Sequence, residues 1–179
     1  MSRIVLATGG ARSGKSAWAE CVAEKLDSKR VYIATSVPAD DEMRARVDRH
    51  REMRAGRGWA TVEEPLHLAS ALERAAGCYA AALVDCLTVW IANRMYEADQ
   101  AGQALTEEAV AADCRRVIEA ARLMPCGTVL VTGEVGMGIV PENEVARRFR
   151  DLPGICNQTI SADADEVTLL VCEQPLRIK

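Results

Sequence analysis

Apolar residues in this chain gather in short runs separated by longer stretches of mixed character. The first run, Ile4 to Thr8, stops at Gly9-Gly10; from Ser16 to Leu26, the residues Ala17, Trp18, Cys21, Val22 and Leu26 then recur at helical spacing. The chain therefore opens as strand, turn and helix. Four later runs, Val31 to Thr35, Ala80 to Val84, Thr128 to Thr132 and Val167 to Cys172, are too short and too uniformly apolar for an amphipathic helix, and they read as strands buried on both faces. Helical patterns lie over about 40–54, 66–76, 87–97 and 107–124, and over 143–162 with an interruption near Pro153-Gly154. Strands alternating with helices predict an α/β fold with a mostly parallel sheet flanked by helices. Leu176 to Ile178 adds a last edge strand, and Pro175 suits a turn that enters an edge.

No repeat, low-complexity tract or linker divides the pattern, and 179 residues with 49% apolar composition predict a single domain over 1–179. The net charge of -4, without any Lys/Arg-rich block, argues against nucleic acid or anionic membrane as a partner, because a polyanion needs a sustained basic surface. No apolar run approaches the ~18 residues of a membrane span, and no export signal precedes the glycines. Seven cysteines, an odd number with no C-x-x-C pair, read as buried free thiols in a reducing compartment. The expected protein is a cytoplasmic enzyme acting on small molecules.

Its chemistry begins at the first turn. Gly9-Gly10-Ala11-Arg12-Ser13-Gly14-Lys15-Ser16 satisfies G-x-x-x-x-G-K-[ST] between a predicted strand and a predicted helix, the setting that a phosphate-binding P-loop requires. Glycines let the backbone curl so that several N–H groups face phosphate oxygens; Lys15 brings a mobile positive charge and Ser16 a hydroxyl for Mg²⁺. The motif predicts nucleotide binding without saying which nucleotide or reaction follows.

A second candidate lies on the helix predicted from Asp40 to Arg54. Arg46, His50 and Arg54 stand four apart in one column, and Met43 and Val47 fall on the same side, so His50 is expected to face inward between two cations. Those cations disfavour the imidazolium, leaving a neutral nucleophile able to attack an α-phosphorus. A packed, structural histidine is the competing reading for His50, and it is the one taken for His67.

Three further places complete the candidates. Asp85 ends an apolar strand where a parallel sheet delivers a carboxylate for Mg²⁺ or ribose, although it also fits a helix N-cap. Thr128 to Glu134 ends the same way and runs into the glycine-punctuated Val135-Gly136-Met137-Gly138-Ile139-Val140-Pro141, which suits a second substrate or an ordinary connection. Trp59, Thr61, Glu63 and Glu64 form a polar cluster whose role spacing does not decide.

Taken together, Thr8 to Ser16, Tyr32-Ile33-Ala34-Thr35-Ser36, Asp41-Glu42-Met43 through His50, Asp85-Cys86-Leu87-Thr88 and Glu134 through Asn143 resemble the bifunctional adenosylcobinamide kinase / adenosylcobinamide-phosphate guanylyltransferase family of cobalamin biosynthesis. The resemblance runs from about Ile4 to Lys179. It implies phosphorylation of adenosylcobinamide by ATP or GTP, then transfer of GMP from GTP to adenosylcobinamide phosphate through a GMP-histidine at His50. It also implies nucleotide contacts from Gly9 to Ser16, from Ala34, Thr35 and Ser36, from Arg51, Glu52, Met53 and Arg54, and from Glu63 and Asp85. A RecA-like P-loop sheet and a homotrimer are implied as well. The chain departs from the family at Gly133, where Asn is expected, at Ile155-Cys156, where an Arg is usual, and at Glu173, a usual Gly.

Two other readings remain open at this point: a P-loop kinase for another small alcohol with His50 structural, and a RecA-like nucleotide-dependent assembly module. The first would never form a nucleotidyl-enzyme; the second would polymerise or bind DNA in a salt-sensitive way. With one Phe, three Tyr and three Trp, aromatic walls are scarce, so a corrin ring is expected on aliphatic surface or across a subunit boundary.

Overall fold

The computed structural model describes residues 2–37, 52, 54 and 56–179. Among them run, in chain order, β1 (Arg3–Gly9), α1 (Lys15–Leu26), β2 (Arg30–Ala34), β3 (Trp59–Glu63), α2 (Leu68–Ala76), β4 (Ala81–Asp85), α3 (Leu87–Gln100), α4 (Glu107–Ala121), β5 (Gly127–Val131), a 3-10 turn at Val135–Met137, α5 (Glu144–Asp163), β6 (Glu166–Val171) and β7 (Gln174–Arg177). The strands form one sheet in the order β3-β2-β4-β5-β1-β6-β7. All neighbours are parallel except β6 and β7, whose antiparallel hairpin closes one edge.

Side chains alternate across a strand, so β1 sends Ile4 and Leu6 to one face and Val5 and Ala7 to the other, all buried. The first face is covered by Leu68 and Leu72 of α2, Trp90 and Ile91 of α3, Val110 and Cys114 of α4, and Cys156 and Ile160 of α5. On the other face Ala19 and Ala23 of α1 lie against Val5, Leu83 and Val129. Small residues on α1 let that helix sit close to the strands, which draws its N-terminus towards the strand ends.

The α/β alternation and the parallel sheet stand as the sequence predicts, with the shared boundaries moved by one or a few residues. Three expectations change. β3 was read only as a polar cluster; its W-A-T-V-E is a half-exposed outer strand entered through Gly56 and Gly58, both at positive φ. α5 is continuous through Pro153, because Leu152, Pro153, Cys156 and Ile160 bury one face and that burial outweighs the missing backbone donor. The terminal strand starts at Gln174 and takes Pro175 into its ladder opposite Leu170, tolerated at an edge. Of the helix expected over 40–54, only Glu52 and Arg54 fall among the described residues, and both are helical.

Two side-chain readings also change. The seven cysteines are free, but only Cys114 and Cys156 are buried; Cys21, Cys78 and Cys172 are exposed. His67 is exposed too, standing as the N-cap residue of α2 rather than packed in the core.

Candidate active site

Parallel strands deliver their C-terminal ends to one edge of the sheet, and β1, β5 and β4 lie side by side there. The loop leaving β1 curls over Gly9–Ser16. Gly9 has φ +154, and a Cβ there would stand 2.6 Å from both the Leu170 carbonyl oxygen and Ser13 Oγ. Gly14, at φ +89, is the N-cap of α1 and supplies no side-chain cap, so the first N–H groups of that helix remain available to an anion. Lys15 Nζ donates to the Gly10 carbonyl at 3.1 Å, folded over the loop it serves. Ser13 Oγ is buried without a hydrogen-bond partner, a donor whose acceptor a bound phosphate would supply. The hairpin between β6 and β7 leans on this loop: Glu173 N donates to Ser13 O at 2.9 Å, and Cys172 and Glu173 both take positive φ.

At the neighbouring strand ends, Thr35 is fully buried and joins β2 to α3. Its Oγ1 donates to Cys86 O at 2.8 Å and accepts from Cys86 N at 2.8 Å, while Asn93 Nδ2 donates to Thr35 O at 2.8 Å. Asp85 is not a helix cap; Cys86 holds that position. Instead, Asp85 Oδ2 accepts from Tyr32 OH at 3.0 Å. Burial, and then the Asp85 charge, push the Tyr32 hydroxyl far above its ordinary value, so it remains a donor. The Cys86 thiol is pushed up to about 11, by burial first and Asp85 second, with Lys15 opposing. The P-loop ammonium and the β4 carboxylate thus act on one neighbourhood.

Arg54 is buried, its guanidinium 3.6 Å from the centre of the Tyr32 ring and its Nη1 3.4 Å from Glu20 Oε1 on α1. A desolvated stack of this kind contributes about 2 kcal/mol. Glu20 Oε2 accepts from Arg57 Nη1 at 3.3 Å, and Arg57 Nη2 lies 2.7 Å from Glu24 Oε1, which also accepts from Trp59 Nε1 at 3.0 Å. Burial alone would raise the Glu24 carboxyl, but Arg57 and Trp59 hold it below its ordinary value. This lattice ties Arg54, Arg57 and Trp59 to α1 and Arg54 to β2.

A third group of polar side chains surrounds the end of β5. Thr8 Oγ1 donates to Glu134 Oε1 at 2.6 Å, and Asn157 Nδ2 donates to the same oxygen at 3.3 Å and to Gly133 O at 3.2 Å. Thr132 Oγ1 donates to Asn157 Oδ1 at 2.6 Å, and Thr88 Oγ1 accepts from Gly133 N at 2.7 Å. The donors near the cradle that suit a metal, Ser16 and Asp85, are both oxygens, which is the chemistry of Mg²⁺. Among the described residues no cluster of three or more His, Cys, Asp or Glu forms a metal cage. A Mg²⁺ here would rest on one or two protein oxygens plus phosphates and water, its usual habit.

Of the residues expected at the site, Gly9, Gly10, Ala11, Arg12, Ser13, Gly14, Lys15 and Ser16 form the cradle. Ala34, Thr35, Ser36 and Asp85 stand at the adjoining strand ends, and Glu63 ends β3 in register with Ala34. Glu52 is exposed and Arg54 is engaged inward. His50, Arg51 and Met53 lie outside the described residues. Sequence reasoning missed Glu20, Tyr32, Thr8 and Asn157 as partners of these groups. Thr8 and Tyr32 stood inside the stretches that carry the resemblance, and Glu20 stands one helical turn after Ser16 on α1, signals that gave none of them a role.

Comparison with known proteins adds a family. Residues 5–178 match the family model described as CobU, cobinamide kinase / cobinamide phosphate guanyltransferase. The bifunctional adenosylcobalamin biosynthesis protein CobU of Escherichia coli (strain K12) is 41% identical, with 98% of this chain and 99% of that protein covered. The protein CobP of the same description from Pseudomonas aeruginosa is 38% identical, with 97% and 96% covered. Among solved structures, the ATP synthase subunit NeqB from Nanoarcheaum equitans aligns with TM-score 0.54 at 12% identity, over 94% of this chain and 45% of that one. The flagellar accessory protein FlaH from Methanocaldococcus jannaschii aligns with TM-score 0.50 at 10% identity, over 93% and 70%. At such identities these two show a shared fold alone.

Proposed function

We propose, from the premise that the chain belongs to the cobinamide kinase / cobinamide phosphate guanyltransferase family, that it carries out both reactions at the P-loop edge of its sheet. Adenosylcobinamide is phosphorylated on its hydroxyl by ATP or GTP. GMP then passes from GTP to adenosylcobinamide phosphate, releasing pyrophosphate and forming adenosylcobinamide-GDP. The observation that carries this reading is the full-length family match joined to a glycine loop that carries Lys15, an uncapped helix N-terminus and a buried, unpartnered Ser13 hydroxyl.

In this reading Gly9–Ser16 bind the triphosphate, Ser16 and Asp85 hold Mg²⁺, and Ala34, Thr35, Ser36 and Glu63 line the nucleoside side. Mg²⁺ supplies charge neutralisation on the phosphates. Lys15 stabilises the charge that develops on the leaving oxygens. His50 attacks the α-phosphorus of GTP and carries GMP as a phosphoramidate, with Arg51, Glu52, Met53 and Arg54 about the nucleotide. Arg54, four residues after His50 in the sequence, is itself held by Tyr32 and Glu20.

One P-loop domain over 1–179 serves both steps. The protein works in the cytoplasm, in keeping with its seven free cysteines, and as a homotrimer to which the exposed Met137, Ile139 and Val140 offer apolar surface. No described helix is long and apolar enough to cross a membrane. The test is incubation with Mg²⁺ and GTP labelled at the α-phosphate. Label is expected to stay on denatured protein, to resist alkali, to leave in acid and to be absent from His50→Ala. Wild-type protein that binds GTP yet never retains label would leave a kinase without covalent guanylylation.

A further inference from the structure

Among the described residues Glu134 is the carboxylate that follows β5, and its setting differs from those of the paired carboxylates elsewhere. Glu20, Asp113 and Asp165 each engage both oxygens with arginine or backbone donors. In Glu134, Oε1 takes both hydrogen bonds, from Thr8 and Asn157, and among the described residues Oε2 accepts none. No described Lys or Arg forms an ion pair with it. The side chain is half-buried, and its main chain is fixed because Glu134 N donates to Gly9 O at 3.1 Å. Asn157, the second donor, is itself oriented by Thr132. Glu134 follows β5, the strand whose neighbours β1 and β4 lead into the phosphate cradle and end at Asp85.

We infer that Glu134 is the general base of the phosphoryl-transfer half-reaction, its Oε2 accepting the proton of the acceptor hydroxyl. The inference rests on the kinase and guanylyltransferase reading proposed above. The hydroxyl oxygen bonds to the γ-phosphorus, the bond from that phosphorus to the β–γ bridging oxygen breaks, the nucleoside diphosphate leaves, and the hydroxyl proton moves to Glu134. A carboxylate locked through one oxygen presents the other in a single direction, which is the geometry that a positioned base needs. The guanylyl half-reaction needs no such group, because its final acceptor is a phosphate already ionised at neutral pH. Glu134 therefore separates two reactions that share one cradle.

Glu134→Gln keeps an oxygen to accept from Thr8 and Asn157 but removes the base. With adenosylcobinamide, ATP and Mg²⁺, its kinase kcat is expected to fall by about 10²–10⁴-fold with KM for both substrates little changed. GMP labelling of the protein from GTP, and transfer of that GMP to supplied adenosylcobinamide phosphate, are expected to stay within about threefold, because the amide oxygen keeps both hydrogen bonds and those steps take no proton to this side chain. Retained guanylyl transfer also certifies that the variant is folded. A kinase kcat that stays near wild type overturns the inference. So does a parallel loss of both half-reactions, which would assign Glu134 to the shared Mg²⁺ and nucleotide site. Failure of the wild-type protein to phosphorylate or to label would instead strike the proposed function.

Discussion

The two ends of the parallel sheet are built on opposite terms. At the end where the strands begin, polar groups are tied to one another. Ile4 N donates to Asp165 Oδ2 at 2.7 Å, Arg122 Nη1 donates to the same oxygen at 2.5 Å and to Ser2 O at 2.7 Å, and Arg122 Nη2 donates to Asp163 O at 2.7 Å. Arg3 pairs with Glu166 across the same end. Where the strands finish, groups are held but not used up. Ser13 Oγ has no partner, Lys15 leans on a carbonyl, α1 begins without a side-chain cap, and Glu134 keeps one oxygen spare. The beginning of the sheet spends these polar groups on the fold, and its finish leaves donors and an acceptor open beside its own satisfied networks.

That contrast can be broken by substitutions that cross it. The largest effect belongs to the finishing end: Lys15→Met should lower both phosphorylation and GMP labelling by at least ~10²-fold, the scale of losing one charge-stabilising donor, with the thermal midpoint nearly unmoved. Steady-state kinetics beside calorimetry read both quantities at once. A fall in stability matching the fall in activity would mean that Lys15 belongs to the fold. Next, Ile4→Ala at the starting end should destabilise the protein by about 2–5 kcal/mol while KM for nucleotide stays put, because it opens a cavity in a fully buried site.

The smallest effect is a pH dependence. The Arg122 hydrogen bond, and then Ile4 N, hold the Asp165 carboxyl below its ordinary value of 3.8. Its contribution to stability is therefore present above that value and is lost as pH falls through the lowered one. Acid unfolding of Asp165→Asn should lack this component. The effect is modest, because the side chain is 44% exposed and solvent screens the pair. An acid-unfolding curve identical to wild type would mean that Arg122 holds the corner through Ser2 and Asp163 alone.

What the sequence made legible follows from how local each signal is. The P-loop is read from eight consecutive residues because its chemistry lies in one turn, and the buried strands are read from uniform apolar runs because both faces are covered. β3 escaped because an outer strand with mixed burial shows neither a clean alternation nor an apolar run. The break expected at Pro153 escaped for the opposite reason, since a local helix breaker was overruled by packing from α3 and α4. Asp85 was placed correctly at a strand end, yet its partner Tyr32 lies 53 residues away and no spacing rule reaches that far. Glu134, Thr8 and Asn157 meet only because β1, β5 and α5 converge, so a network of this kind becomes visible once the sheet order is known.

The hairpin tip at Cys172 and Glu173 gives the cradle a second wall. A Cβ on Gly14 would come within 2.7 Å of Glu173 Cγ, and Ser13 O is already taken by Glu173 N. The loop's shape is thus set from below by the strand–helix junction and from above by the closing edge of the sheet. A phosphate bound there would meet a loop whose shape is already set, so little of its affinity would go into ordering the chain.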